Sequence, residues 1–197
     1  MLFRSDNTGS NHDYYQPAIV FQNGVTSNAK YIAEAASHEV GHNIGLSHDG
    51  SSTVGYYEGH GSWAPIMGVG YYQNLTQWSK GEYSGANNKQ DDLSIITTSN
   101  GFGYRTDDFG NTTASAFALV PNGNSIAVSG IIERNTDMDM FSFTTGSGVV
   151  SLNFDPAARG PNLDIYAELF DSSNTLIASS NPTASLGASI STTLSSG

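Results

Sequence analysis

Apolar residues follow two different rhythms along this chain. The first apolar run, Ala18-Ile19-Val20-Phe21, is bounded by Pro17 and by Asn23-Gly24 and predicts a short buried strand. Ser27 or Asn28 then offers a side-chain oxygen to cap a helix over about 29–44, with Ile32, Ala36 and Val40 as its core-facing stripe. Residues 50–74 are rich in Gly and Tyr, keep no helical period and predict loops around a cleft. The run Gln90-Asp91-Asp92-Leu93-Ser94-Ile95-Ile96 predicts a short helix. Its opening acids suit the positive end of the helix dipole, and its apolar side closes the preceding unit from below. Residues 1–16 are polar and predict a loop, with His12 and Asp13 solvated in it.

The rhythm changes at Gly101-Phe102-Gly103-Tyr104. Asp107-Asp108-Phe109-Gly110-Asn111-Thr112 predicts a turn-rich hinge, and no helical period follows it. Short alternating runs take over: Ser125-Ile126-Ala127-Val128, Asp139-Met140-Phe141-Ser142-Phe143, Val149-Val150-Ser151-Leu152-Asn153-Phe154, the stretch 163–170, and Thr175-Leu176-Ile177-Ala178. Gly, Asn, Pro and Ser separate them, which is the pattern of an antiparallel β-sandwich. The expected organisation is therefore an α+β portion over residues 1–103 and an all-β sandwich over 104–197.

Composition narrows the classes of function. The chain has 197 residues and a formal net charge of −11, with only seven Lys plus Arg. A nucleic-acid surface needs a basic face to neutralise phosphates, so no nucleic-acid partner is expected. There is no cysteine, so neither a disulfide framework nor a thiolate metal site exists. No stretch is long and apolar enough to predict a membrane span.

The chemistry is concentrated in His38-Glu39-Val40-Gly41-His42-Asn43-Ile44-Gly45-Leu46-Ser47-His48-Asp49. On a helix, His38 and His42 leave the same face one turn apart, a separation suited to one zinc ion. Glu39 lies beside the pair, placed to act as a general base towards water. Gly45 permits a positive φ and a sharp exit, which can bring His48 back as a third nitrogen ligand. Three protein ligands leave one tetrahedral position open, the layout of a catalytic zinc site. Two blander readings are a helix of solvated histidines and a closed structural site with Asp49 as fourth ligand. The fixed spacing of the Gly and the third His weakens the first. The sufficiency of three imidazoles plus water weakens the second.

This segment resembles the long zinc motif of the metzincin metallopeptidases, in which a Met-turn follows downstream. The corresponding turn here is Pro65-Ile66-Met67-Gly68. The resemblance implies a zincin-like catalytic portion with an active-site helix, one Zn2+ held by His38, His42 and His48, and Glu39 as the catalytic residue. Met67 would form an apolar floor below the metal without ligating it. Asp49 would support the motif by a hydrogen bond behind the ligands or by a helix-end contact. Tyr71 or Tyr72, following the Met-turn, would help to stabilise the oxyanion, although their spacing departs from that of the members that use such a tyrosine, and packing is the plainer role. His60 would be a cleft residue or a substrate contact, and a structural role is the plainer reading. The order of residues after 104 resembles the bacterial pre-peptidase C-terminal domain, through the Asp-Asp-x-Gly-Asn-Thr start, Asp137-x-Asp139-x-Phe141 and Asn162-Leu163-Asp164-Ile165.

The resemblance further implies a secreted peptidase, monomeric, acting on protein or peptide substrates. Substrate-binding strands and a signal peptide are expected upstream of this stretch, and a further strand beyond it, so that both portions are incomplete. The rival reading is a non-catalytic extracellular zinc-containing binding module. An intracellular peptidase is the weakest of the three. Ca2+ is a second candidate ion, at Asp137 and Asp139 or at Asp91 and Asp92. Solvated or helix-opening acids are the plainer reading, because no ligand loop of fixed spacing is visible.

Overall fold

The computed structural model describes residues 18–197, so the expected loop over 1–16, with His12 and Asp13, lies outside the described residues. Helical residues make up 17% and strand residues 22% of the structure, a mixed α and β chain. It divides into two compact units, Met1–Gly103 and Tyr104–Gly197.

The first unit is built on helix α1, Ala29–Asn43. Asn28 holds an extended backbone and its side chain accepts from the amides of Lys30 (2.9 Å) and Tyr31 (3.3 Å), satisfying two of the donors a helix start leaves open. The C-terminus closes as a Schellman turn. Gly45, at φ 94°, donates to the His42 carbonyl, and Leu46 donates to the Gly41 carbonyl, both at 3.0 Å. The buried face differs from the expected stripe. Val40 is 47% exposed and Ile32 and Ala36 are only partly covered, whereas Ala35, His38, Glu39, Gly41 and His42 are buried. Polar site residues occupy the inward face, so apolar periodicity points to the wrong side.

The expected buried strand at 18–21 is not one: Ile19 forms a single bridge and is 45% exposed, and Phe21 leads directly into a 3-10 turn, Gln22–Val25. Beyond α1, the loops are pinned by two short parallel strands, β1 (Trp63–Pro65) and β2 (Leu75–Gln77). The predicted helix near 92 is one turn, α2 (Asp92–Ser94), prolonged by a π-helical turn over Ile95–Ser99. Asp91 caps it, accepting from Ser94 N at 2.9 Å. Asp92 faces inward, fully buried, and accepts from Ser79 N at 3.0 Å. Asn100 then donates to the Ile44 carbonyl at 2.9 Å, which ties the end of this element to the end of α1.

In the second unit, β3 (Phe117–Ala118) pairs in parallel with β4 (Phe141–Ser142), and Phe109 packs edge-on against Phe117 and Phe141. β5 (Gly148–Phe154) runs antiparallel to β8 (Ala188–Leu194) through seven residue pairs. β6 (Ala167–Phe170) and β7 (Leu176–Ser180) form a second antiparallel ladder. Its turn is organised by Asp171, whose carboxylate accepts from Ser173 N, Ser173 Oγ and Thr175 N. Ala167 and Leu169 of β6 meet Ala188 and Ile190 of β8 in one apolar cluster, extended by Leu152 and Phe154 of β5 and Ala178 of β7. The run at 125–128 forms no strand; Ser125 only bridges to Asn122.

Candidate metal centre

Helical spacing sets His38 and His42 on one face, with ring centroids 4.8 Å apart and planes at 83°. Each ring is held from behind. His38 Nδ1 lies 2.9 Å from the Ile66 carbonyl, and His42 Nδ1 lies 2.8 Å from the Leu46 carbonyl. A carbonyl can only accept, so each Nδ1 carries the proton and each Nε2 keeps its lone pair. The Schellman turn returns the chain so that the His48 ring sits 5.3 Å from His38 and 4.6 Å from His42. His42 Nε2 and His48 Nε2 are 2.9 Å apart, and the three ligand atoms all lie within 4.8 Å of one another.

The donor set fits zinc. It is three imidazole nitrogens, two of them backed by carbonyl acceptors of the kind that fix metal-binding histidines. Burial pulls the His38 imidazole from 6.5 down to about 4. The Ile66 carbonyl works against this shift, while His42 and His48 reinforce it. His38 is thus neutral, and competent as a ligand, throughout the physiological range.

Glu39 is 3% exposed on the same stretch of helix. Beneath the histidines, Met67 is fully buried, and a Cβ on Gly41 would collide with its Sδ. Glycine therefore lets α1 sit directly on Met67. The Met67 turn is laced to the chain after His48 by three backbone bonds: Asp49 N to Met67 O (2.8 Å), Tyr57 N to Asp49 O (2.8 Å) and Val69 N to Tyr57 O (2.9 Å).

Comparison with protein-family models, curated proteins and solved structures finds no match. The geometry therefore stands on the residues of this chain alone.

The remaining residues singled out in the sequence separate in space. Asp49 is 1% exposed and directs its carboxylate to Asn88 Nδ2 at 3.1 Å. It is not part of the histidine group. Burial pushes its carboxyl up to about 6, against the pull of the Asn88 bond. Tyr71 packs on Tyr31, with centroids 4.9 Å apart; burial first, then the charges of Glu39 and Glu34, raise its phenol above the ordinary value. Tyr72 is 67% exposed, on the solvent side of that pair. His60 is exposed, and its Nδ1 lies 3.0 Å from Tyr57 Oη.

Sequence reasoning missed the residues that hold these groups in place. Gln90 Oε1 accepts from Ser47 N at 2.8 Å, and Asn88 Nδ2 reaches both the Ser47 carbonyl and Asp49. Lys30 Nζ donates to Glu34 and to the carbonyls of Gly70 and Tyr71, fastening the chain after the Met67 turn to the start of α1. Tyr56 lies with its ring centroid 4.4 Å from that of His48. None belongs to a motif; the only signal is polar or aromatic side chains in loops.

In the second unit, carboxylates gather as Asp107, Glu133 and Asp137, and as Asp107, Asp108 and Asp139, each trio able to offer oxygen ligands to one hard cation. Asp137 and Asp139 thus fall in different trios that share Asp107. Asp91 and Asp92 join no such group among the described residues.

Proposed function

We propose that this chain is a zinc-dependent metallo-endopeptidase of metzincin type. Its first portion is read as the zincin-like catalytic part and its second as a β-sandwich of pre-peptidase C-terminal type. It acts outside the cell, as a monomer, on protein or peptide substrates. The observation that carries this reading is the convergence of three buried or half-buried imidazoles beside a buried glutamate, on a helix whose Gly41 packs against the buried Met67.

The Nε2 atoms of His38, His42 and His48 would hold the zinc ion, which when bound would supply a Lewis acid and lower the pKa of water to roughly 7. The carbonyls of Ile66 and Leu46 keep the proton on Nδ1 of His38 and His42, so the opposite lone pairs stay available. Glu39 takes a proton from the attacking water and delivers it to the departing amine. Tyr71, packed on Tyr31, and Tyr72, 67% exposed, keep packing as the plainer role of the two tyrosines that follow the Met67 turn.

The test is hydrolysis of an unfolded protein with zinc, with chelator, and by Glu39→Ala. Removing the base is expected to lower kcat by at least about a hundredfold at unchanged zinc content. His42→Ala is expected to lose zinc itself, read by metal analysis of the purified protein. Full turnover in Glu39→Ala, or stoichiometric zinc in His42→Ala, would overturn the respective assignment.

A further inference from the structure

Tyr56 and Tyr57 are adjacent in an exposed loop and behave differently. Tyr57 is anchored: both its backbone polar groups are bonded, to Asp49 O and Val69 N, and its ring stacks on Tyr83 at 4.1 Å with an interplanar angle of 2°. The Tyr56 ring, at a bend in the chain, lies apart from that stack and beside the histidines, 4.4 Å from His48 and 6.1 Å from His38 between centroids. It remains 46% exposed, and its hydroxyl makes no hydrogen bond among the described residues. A ring fixed at its base, presented beside a metal ligand and left half bare, has unspent apolar surface where a bound molecule must approach.

We propose that Tyr56 forms the aromatic wall of the ligand pocket at this centre and stacks on an apolar or aromatic side chain of the substrate next to the scissile bond. This rests on the reading of the histidines as a peptidase metal site. The wall works through the ring face, so the hydroxyl is dispensable. Anchoring through Tyr57 holds the ring in place before a ligand arrives, which lowers the ordering cost of binding.

The experiment loads the full chain with cobalt(II) and follows its visible absorption on titration with benzohydroxamate and with acetohydroxamate, two metal-binding ligands that differ in an aryl group. The wild type is expected to favour the aryl ligand. Tyr56→Ala is expected to lose about three- to tenfold in affinity for benzohydroxamate and nothing for acetohydroxamate. Tyr56→Phe is expected to behave as wild type. Equal losses for both ligands in Tyr56→Ala would mean that the ring merely props His48, and would overturn the proposal; so would an unchanged aryl preference. A wild type that binds no cobalt removes both the metal reading and the wall. Cleavage of paired peptides, differing only in Phe or Gly beside the cut bond, runs alongside. Aryl preference without cleavage of either peptide removes the peptidase reading and leaves Tyr56 as an aryl-binding wall.

Discussion

At the scale of single residues, the site depends on close approach as much as on ligand chemistry. Gly41 stands between His38 and His42 with Met67 directly below it. Gly41→Ala places a methyl against Sδ of the buried Met67 and close to the Trp78 ring, so either the methionine or the helix must shift. A cost of about 1–3 kcal/mol is expected from overpacking, read as a fall in unfolding midpoint, together with weaker zinc retention because both ligand rings ride on that turn. Trimming the floor in the same chain, as Gly41→Ala with Met67→Leu, is expected to recover part of the loss.

The grouping of His38, His42 and His48 was legible in the sequence, because metal chemistry demands particular side chains at particular intervals. The buried turn at Met67 was legible only through Pro65 and Gly68 around it. Tyr56, Lys30, Asn88 and Gln90 were not legible, because a loop side chain acquires its role only when distant backbone arrives beside it.

At the scale of elements, α1 could be read closely from Asn28 at one end and Gly45 at the other, since caps are local chemistry. Its facing could not. The inward side carries His38, Glu39 and His42, and a rule that sends polar residues outward fails where function buries them. β1 and β2 have three residues each, too few to show a period. The run at 18–21 was read as buried from its composition, yet Ile19 and Phe21 face solvent.

The short element α2 leads to a prediction about pH. Burial first, with Asp49, Asp91 and Glu82 adding to it and the Ser79 bond opposing, pushes the Asp92 carboxyl from 3.8 up to about 7. Between those two values the folded chain keeps a proton that the unfolded chain has released. Stability therefore falls as pH rises through that window. Asp92→Asn keeps an oxygen for the Ser79 amide and removes the titration. Thermal unfolding of the metal-free protein is expected to show the variant gaining on the parent as pH is raised from 5 to 8. A constant difference across that range would show that Asp92 does not titrate there.

At the scale of the whole molecule, every group in the centre comes from the first unit, and residues 101–108 at the boundary are all exposed. Exposed, irregular backbone between compact units is where proteases cut first. Limited proteolysis is expected to nick within 101–108 and yield two resistant pieces, with the zinc recovered in the first; mass spectrometry and metal analysis of the separated pieces decide it. In the second unit the alternating pattern announced β5, β6 and β7, whose inner residues Leu152, Leu169 and Ala178 reach the shared cluster. The pattern failed at 125–128, where alternation is present without a ladder. No helix among the described residues is long and apolar enough to cross a membrane.

His42 also closes its own helix. Its Nδ1 proton is spent on the Leu46 carbonyl, inside the turn that Gly45 and Leu46 make with the end of α1. The three histidines are consequently unequal partners. Exchanging His38 for another metal-binding side chain also gives up the bond to the Ile66 carbonyl, next to Met67. Exchanging His42 gives up the bond to the Leu46 carbonyl, on the segment that delivers His48, so one replacement touches two candidate donors. A redesign of this centre for a different metal would begin at His48 and leave both bonds in place.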